Sequence, residues 1–242
     1  MSHWRDQLAE QLDRRRDDGL LRRLRAVDRC GRLVRRDDRA LINLAGNDYL
    51  ALASHPHLIE ASSGAARELG VGAGASRLVT GHLEIHERLE RRFAAFKHAE
   101  AALLTPTGYM ANLAAITALA GPEDLVCLDK LNHASLIDAA RASGATLRVY
   151  PHRQLDKLRR LLDRGEARRK IIVTDAVFSM DGDCADLRGL CELRDAFGAM
   201  LIVDEAHATG VLGRGGAGLA EHQQVAERID VTVSTASKAL GG

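Results

Sequence analysis

Hydrophobic residues form short runs at regular intervals through the second half of the chain. These runs predict β-strands at residues 101–104, 125–128, 146–150, 171–174, 200–203 and 231–234. Between them, apolar residues recur at helical spacing and predict helices at residues 109–119, 135–142, 154–162 and 187–197. Strands that alternate with helices are typical of an open, largely parallel sheet with helices on both faces. The pattern therefore predicts an α/β fold.

The first hundred residues follow a different pattern. Leucines at near-helical spacing among charged residues predict an amphipathic helix over about residues 4–24, packed on a larger body. Two apolar stretches separated by a charged turn predict a small hairpin over residues 33–44. Further helices are predicted over residues 57–69 and from His82 to about residue 96. We expect an N-terminal helix and hairpin segment at 1–45 and a large domain at 46–242.

Composition places the chain among ordinary globular proteins. Its 242 residues are 46% hydrophobic and 28% charged, with a formal net charge of +1 at pH 7. A chain this close to neutral has no general polyanion-binding surface, so neither nucleic acid nor a membrane is expected as a partner. The sequence shows neither an apolar run long enough to cross a bilayer nor the pattern of a signal peptide, which predicts a cytoplasmic protein.

Three patterns that resemble metal or nucleotide sites fail on their context. The cysteines at positions 30, 127, 184 and 191 lack C-x-x-C spacing, which favours reduced, mostly buried thiols over a zinc site or disulfides. His82 and His86 lie four residues apart, but Leu83 stands where a zinc protease has Glu, so no metal is expected. Residues 213–218 match G-x-G-x-x-G without following a predicted strand directly, so a glycine-rich surface loop is the better interpretation.

Lys238 is the best candidate for a nucleophilic amine. Lysine is scarce, with five among the 34 basic residues. Lys238 alone follows an apolar strand within a loop of Ser, Thr and Gly, and burial beside such a strand lowers the pKa of an amine and activates it for Schiff-base chemistry. A surface lysine that follows a strand is the alternative. The other four have loop or charged surroundings typical of a solvated surface; they are Lys97, Lys130, Lys157 and Lys170.

Polar residues gather directly after the predicted strands. In open parallel sheets, ligands bind outside the carboxyl ends of the strands, so residues at these positions are candidate site residues. They are Gly108, Tyr109, Asn132, His133, Ser179, Asp204, Glu205, His207, Ser234, Thr235, Ser237 and Lys238. The helix that opens at Gly108 offers free backbone N–H groups and a positive dipole end to a phosphate, and the hydroxyls after the last strand would complete that site.

Asp204 indicates which kind of molecule carries the phosphate. A carboxylate directly after an apolar strand suits a cationic ring nitrogen, and His207 is near enough in sequence to contact the same ligand. A buried structural carboxylate is the alternative. A phosphate cradle, a carboxylate, two histidines and a lysine on one sheet edge fit pyridoxal 5′-phosphate better than any other common cofactor.

These residues belong to motifs by which the chain resembles the α-oxoamine synthases, a family of fold-type I pyridoxal-phosphate-dependent enzymes, and most closely its biotin-synthesis branch. The resemblance covers nearly the whole chain and implies that the large domain is the cofactor-binding domain of that fold. Its motifs are at residues 47–50, 72–77 with Gly81, 107–112, 131–136, 177–183, 203–207 with Gly210, and 237–238.

The resemblance implies a role for each candidate residue. Lys238 would hold the cofactor's aldehyde covalently and later move the substrate's Cα proton. Asp204 would pair with the pyridine nitrogen, and His133 would stack on the ring beside the substrate. His207 and Ser179 would contact the oxygen substituent of the ring. The phosphate would be bound by Gly108, Tyr109 and Thr235. Arg22 would contact the carboxylate of the acyl substrate.

The resemblance also implies a reaction. A member of this branch would be a homodimeric acyltransferase that joins L-alanine to a pimeloyl thioester, carried by coenzyme A or acyl carrier protein, with loss of carbon dioxide. One alternative is another α-oxoamine synthase, of the 2-amino-3-oxobutyrate ligase or aminolevulinate synthase type, because these share the same core. Family members continue past the lysine into a C-terminal domain, whereas this sequence stops four residues after Lys238. We therefore expect an incomplete chain, and a non-catalytic cofactor-binding or dimerising fragment is the second alternative.

Overall fold

The structure, a computed structural model, describes residues 3–30 and 32–242, without the side chains of residues 29 and 30. The chain divides into two compact units, Met1–Ala45 and Gly46–Gly242, which we call the N-terminal unit and the main unit.

The N-terminal unit contains a helix and a small antiparallel sheet. Its elements are α1 (His3–Asp17), β1 (Asp28–Cys30), β2 (Leu33–Arg36) and β3 (Arg39–Ile42), with strand order β1-β2-β3. The predicted hairpin is present as β2 and β3, and β1 adds a third strand that was not predicted. The hairpin turns at Asp37 and Asp38, both with positive φ, as a two-residue hairpin loop requires.

The prediction of a helix over residues 4–24 is wrong at its C-terminal end. The helix stops at Asp17, and Gly19 has a φ of +68°, which takes the chain out of helical geometry. Leu20 and Leu24 therefore lie beyond the helix and are exposed. None of the residues of α1 is buried, and the packing of its apolar face on a larger body stays a prediction.

The main unit is built on a five-stranded parallel sheet. Its strands are β4 (Leu125–Asp129), β5 (Thr146–Tyr150), β6 (Lys170–Asp175), β7 (Met200–Asp204) and β8 (Val231–Val233), in the order β5-β4-β6-β7-β8. All four strand pairings are parallel. The carboxyl ends of these strands therefore meet at one edge of the sheet.

Helices cover both faces of this sheet, which confirms the predicted α/β class. The helices are α2 (Pro56–Leu69), α3 (Glu84–Phe96), α4 (Gly108–Leu119), α5 (Ala134–Ala142), α6 (Leu155–Arg164), α7 (Leu187–Phe197) and α8 (Leu219–His222), with single 3₁₀ turns at Leu52–Ser54 and Ala226–Arg228. Neighbouring residues of β6 enter different hydrophobic clusters: Ile172 packs with α6 and α7 residues, and Ile171 packs with α4 and α5 residues. This alternation is what a strand buried on both faces produces.

Several details of the strand predictions are wrong, and the strand predicted at 231–234 ends at Val233. Residues 101–104 form no strand, because the backbone N–H and C=O of Leu104 bond to the side chains of Glu90 and Arg77 instead of to a neighbouring strand. The strands predicted to end at 128, 174 and 203 each extend one residue further, and the added residue is Asp in every case. Three carboxylates therefore stand on the last positions of adjacent strands.

The thiols of Cys127 and Cys191 are free and buried, and that of Cys184 is free and partly buried, in agreement with the prediction. The thiol of Cys30 lies outside the described side chains. Across residues 3–30 and 32–242, we find no helix that combines the length and apolar character needed to cross a bilayer.

Candidate active site

Asp175 and Asp204 are register partners at the carboxyl ends of β6 and β7, and both are buried. The Asp204 carboxylate accepts hydrogen bonds from Asn112 Nδ2 at 2.7 Å and from the backbone N–H of Ala206 at 2.9 Å. The Oδ1 atom of Asn112 is buried and has no hydrogen-bond partner among the described residues. A buried amide oxygen without a partner beside a buried carboxylate indicates that this end of the site is built to meet a donor from a ligand.

Lys238 and His207 are in contact at the same edge. The Lys238 Nζ atom lies 2.9 Å from His207 Nε2, and His207 Nδ1 lies 2.7 Å from the Tyr49 hydroxyl. That hydroxyl donates its hydrogen to Asn47 Oδ1 at 3.2 Å, so its oxygen accepts the Nδ1 hydrogen. His207 is therefore the neutral tautomer whose Nε2 accepts a hydrogen from Lys238.

Burial favours neutral groups at this contact. Burial lowers the pKa of the Lys238 amine, against the opposing charges of Asp204 and Asp175. Burial, and then the Lys238 charge, lower the pKa of His207, which agrees with the neutral tautomer. An amine with a lowered pKa is what nucleophilic attack on an aldehyde requires.

Asp175 was missed by the sequence prediction, although it follows the same rule as Asp204. Burial, and then the charge of Asp204, raise the pKa of Asp175 to about 7. Its Oδ2 atom accepts the backbone N–H of His133 at 2.8 Å. The signal was present in the sequence as an acid after an apolar run, but the predicted strand stopped one residue too early.

His133 lies at the site's edge, immediately before α5. Its Nδ1 atom accepts the backbone N–H of Ser135 at 3.2 Å, which caps the helix, and lies 2.7 Å from the Ser135 hydroxyl. That hydroxyl in turn accepts a hydrogen bond from Asn112 at 2.9 Å. Asn112 and Ser135 thus link His133 to Asp204, a connection that the sequence did not reveal.

The N-terminus of α4 faces the loop that carries Lys238. The Thr107 hydroxyl caps this helix by accepting the Met110 N–H at 3.1 Å, while the N–H groups of Gly108 and Tyr109 have no place in the intrahelical ladder. A Cβ at Gly108 would lie 3.8 Å from the Thr235 side chain. The Thr235 and Ser237 hydroxyls lie 2.7 Å apart. Backbone N–H groups and hydroxyls are thus brought together as a phosphate site requires.

Two candidate residues, Ser179 and Arg22, are exposed. Ser179 is exposed in the turn that follows β6, and its side chain makes no hydrogen bond with the described residues. Arg22 is exposed in the N-terminal unit, beyond the end of α1 rather than on the helix.

Lys97 was predicted to be solvated, and this prediction is wrong. Its side chain is 7% exposed. The Nζ atom lies 2.5 Å from Glu205 Oε2 and 3.0 Å from the Thr209 hydroxyl, and it also donates a hydrogen bond to the Ala217 carbonyl. The charged residues around Lys97 in sequence gave no sign of this, because Glu205 is 108 residues away.

The patterns set aside as metal or nucleotide sites have other structural roles. The loop 213–218 folds over a carboxylate: Glu221 accepts the N–H groups of Gly215 and Ala217 at 2.8 and 2.9 Å. The Nδ1 atom of His82 accepts a hydrogen bond from Arg77. Across the part of the chain that the structure describes, we find no group of three side chains placed to hold a metal.

The chain belongs to the class I and II aminotransferase family, whose family model matches residues 39–242. It is 49% identical over 236 residues to the 8-amino-7-oxononanoate synthase of Geotalea daltonii, an alignment that covers 96% of this chain and 60% of that protein.

Among solved structures, it superposes on the serine palmitoyltransferase of Sphingomonas wittichii with a TM-score of 0.88 and 31% identity, covering 99% of this chain and 61% of that one. A serine palmitoyltransferase structure with pyridoxal phosphate gives a TM-score of 0.87 and 30% identity. The superposition covers 98% of this chain and 60% of that one. The predicted resemblance is confirmed, and the chain spans about three fifths of the length of these relatives.

Proposed function

We propose that this chain binds pyridoxal 5′-phosphate through Lys238 and acts in pyridoxal-phosphate-dependent acyl transfer. The observation that carries the proposal is the half-buried Lys238 amine, held 2.9 Å from a neutral His207 at the sheet edge where Asp204 is buried. The pyridoxal phosphate in a solved relative supports it, because the residues that face this edge match the chemistry of that group.

The residues present fit the cofactor at each of its ends. Gly108, Tyr109 and Thr235 would hold the phosphate with N–H and hydroxyl groups, and Asp204 would hold the positive charge of the ring nitrogen. The cofactor supplies an electron sink when it is bound. The orphan Oδ1 of Asn112 lies on the residue that orients Asp204, where a ligand's donor would satisfy it.

The other site residues have complementary tasks. His133 would pack against the ring face and contact the substrate, while His207 and Ser179 would bind the oxygen substituent of the ring. Lys238 would accept the proton that leaves the Cα atom of the amino acid, a task that suits an amine whose pKa burial has lowered.

We further propose L-alanine and a pimeloyl thioester as substrates, giving 8-amino-7-oxononanoate, carbon dioxide and the free thiol of coenzyme A or acyl carrier protein. The 49% identity to a protein named for this product favours it over the serine palmitoyltransferases at 30 and 31%. Arg22 is the candidate partner of the pimeloyl carboxylate. Another α-oxoamine synthase reaction is the second candidate, because the relatives share one fold.

A homodimer is part of the proposal. Large apolar side chains are exposed on the main unit, among them Val71 at 100%, Leu78 at 97% and Met180 at 92%. Exposed apolar groups of this size favour a protein interface. Sedimentation analysis would give about twice the chain's 26.2 kDa if a second copy covers them. A cytoplasmic location stays a prediction of the sequence.

The proposal is tested by adding pyridoxal phosphate, reducing with borohydride and locating the adduct by mass spectrometry. We expect a yellow species before reduction and a label on Lys238, with none in Lys238→Arg. A label on Lys157 or Lys170 with Lys238 unmodified would contradict the proposal. Turnover is then assayed with L-alanine and pimeloyl-CoA, with glycine or serine and other acyl thioesters as comparisons; a labelled Lys238 without any turnover would favour the non-catalytic fragment.

A further inference from the structure

His152 lies between two carboxylates outside the cluster around Lys238. Its Nδ1 atom is 2.9 Å from Asp129 Oδ1, and its Nε2 atom is 2.9 Å from Asp183 Oδ2. Asp129 is the last residue of β4, and Asp183 closes the turn that follows β6, which we call the 178–183 turn. One imidazole thus connects a strand end to a turn on the same edge of the sheet as the site.

These two contacts determine the charge of the ring. An ionised carboxylate only accepts hydrogen bonds, and a neutral imidazole has one N–H to donate. Two bonds to two carboxylates therefore require both ring nitrogens to carry hydrogen, which makes His152 an imidazolium.

The charged and titratable groups that face the ring are Asp129, Asp183 and Arg153. The Arg153 guanidinium lies 3.2 Å from Asp183 Oδ2, and the Arg153 backbone N–H donates to Asp129 Oδ2 at 2.8 Å. Burial acts to lower the pKa of His152, but the hydrogen bonds and charges of Asp129 and Asp183 outweigh it, so the pKa is raised overall.

Other contacts also hold the 178–183 turn, whose first residue, Phe178, is buried in the hydrophobic core. Inside it, the Phe178 N–H donates to the Asp183 carbonyl at 3.0 Å and the Gly182 N–H donates to the Phe178 carbonyl at 2.8 Å. The Phe178 ring meets the His152 ring edge to face, with centroids 4.4 Å apart. The Oδ1 atom of Asp183 is buried without a partner among the described residues. The negative charge of this carboxylate is therefore stabilised at Oδ2, by His152 and Arg153.

We propose that the His152 imidazolium is a positioning residue that holds the 178–183 turn, and with it Ser179, against the carboxyl edge of the sheet. When His152 loses a proton, one of its two carboxylate bonds is lost and the turn loosens. The effect on a ligand at Ser179 rests on the proposed function, whereas the hold on the turn does not.

The sign of the pH dependence follows from the raised pKa of His152. The hold is complete below the pKa near 6.5 of an unfolded histidine, and it is lost as pH rises through the higher pKa of the folded protein. Nitrogen-15 NMR of the ring tests the first step directly. We expect both nitrogens of His152 to be protonated at pH 6, and a singly protonated ring at that pH would overturn the proposal.

Hydrogen exchange tests the hold on the turn. We expect the protection factors of the Phe178 and Gly182 amides to fall about tenfold in His152→Gln at pH 6. In the wild type they fall likewise as pH rises past the pKa of His152. The matched control is His222→Gln, since His222 is an exposed histidine with no side-chain partner among the described residues, and it leaves both amides unchanged. Equal protection in wild type and His152→Gln would overturn the proposal.

Asp183→Asn gives a second test if His152→Gln does not fold. It removes the negative charge of one of the two carboxylates that contact the ring. The pKa of His152, measured by NMR, is therefore expected to fall by about one unit. An unchanged pKa would mean that the Asp183 contact does not hold the proton.

Cofactor binding separates this inference from the proposed function. Titration with pyridoxal phosphate at pH 6 should show several-fold weaker binding in His152→Gln than in wild type, with borohydride still labelling Lys238 in both. A loosened turn with wild-type affinity would overturn the link to the ligand. If the wild type did not bind pyridoxal phosphate, the proposed function would be contradicted. The NMR and hydrogen-exchange results would then still test whether His152 holds the turn.

Discussion

Asp175 and Asp204 stand side by side on adjacent strands, each about 5% exposed, and burial beside Asp204 raises the pKa of Asp175 to about 7. Two neighbouring buried carboxylates cannot both ionise without a large electrostatic cost. Asp204 has the amide of Asn112 and the N–H of Ala206 as donors, whereas the Asp175 carboxylate has the N–H of His133. The proton of the pair is therefore assigned to Asp175 below pH 7.

Asp175→Asn is expected to stabilise the protein at alkaline pH. The folded pKa of Asp175 lies above the value of about 3.9 for an unfolded Asp, so its ionisation destabilises the folded state increasingly from about pH 4 to about pH 7. Urea unfolding should show a gain of roughly 2–4 kcal/mol at pH 8 that shrinks toward pH 5. Asp163→Asn, an exposed control on α6, should show no such trend. A gain independent of pH would refute the assignment.

Asp204→Asn should retain pyridoxal phosphate and lose the ability to activate alanine. An amide cannot hold a positive ring nitrogen as a carboxylate does, and a hydrogen bond to a charged group contributes about 1.5–3 kcal/mol. We expect the exchange of the alanine Cα proton with deuterated water, followed by NMR, to slow roughly 10- to 100-fold. Wild-type exchange in the variant would exclude a role for this carboxylate.

Two substitutions at His133 separate its helix cap from its proposed stacking on the cofactor ring. His133→Asn retains a side-chain oxygen to cap α5 and removes the ring, whereas His133→Phe retains a ring and removes the cap. Unfolding should show His133→Phe less stable than His133→Asn by about 1 kcal/mol.

Titration with pyridoxal phosphate should give the opposite order, with His133→Phe binding about 2- to 10-fold more tightly, since stacking contributes about 0.5–1.5 kcal/mol. If both variants bound the cofactor as wild type does, the ring would have no part in binding.

Lys97→Met is expected to destabilise the protein by about 3–5 kcal/mol, because it leaves the buried carboxylate of Glu205 without its cation. Adding Glu205→Gln should recover part of this loss. Lys157→Met, at an exposed position on α6, is the matched control and should change stability by less than about 0.5 kcal/mol. Denaturant unfolding measures all three, and equal effects of the two lysine variants would show that the buried pair contributes nothing.

A structural feature could be predicted from the sequence where residues close to it along the chain cause it. The strands of the main unit follow from runs of apolar residues, and Asp204 and Lys238 are prominent because each directly follows such a run. Lys97 could not be predicted, because its burial is caused by Glu205, more than a hundred residues away. The apolar run at 101–104 was misleading for a related reason: a strand requires a neighbour, and the backbone of Leu104 bonds to side chains instead.

The position of β8 has a consequence for how the protein assembles. β8 pairs with β7 at one side of the sheet and follows the other four strands in sequence, and the Glu205 N–H donates to the Val233 carbonyl at 2.7 Å. During synthesis, the ribosome therefore releases the segments that carry His133 and Asp204 before the one that carries Lys238. Parallel pairing of distant segments is slow compared with helix formation. Lys238 would thus become able to react with an aldehyde late in folding. The rate of that reaction during refolding would measure how fast the last strand docks.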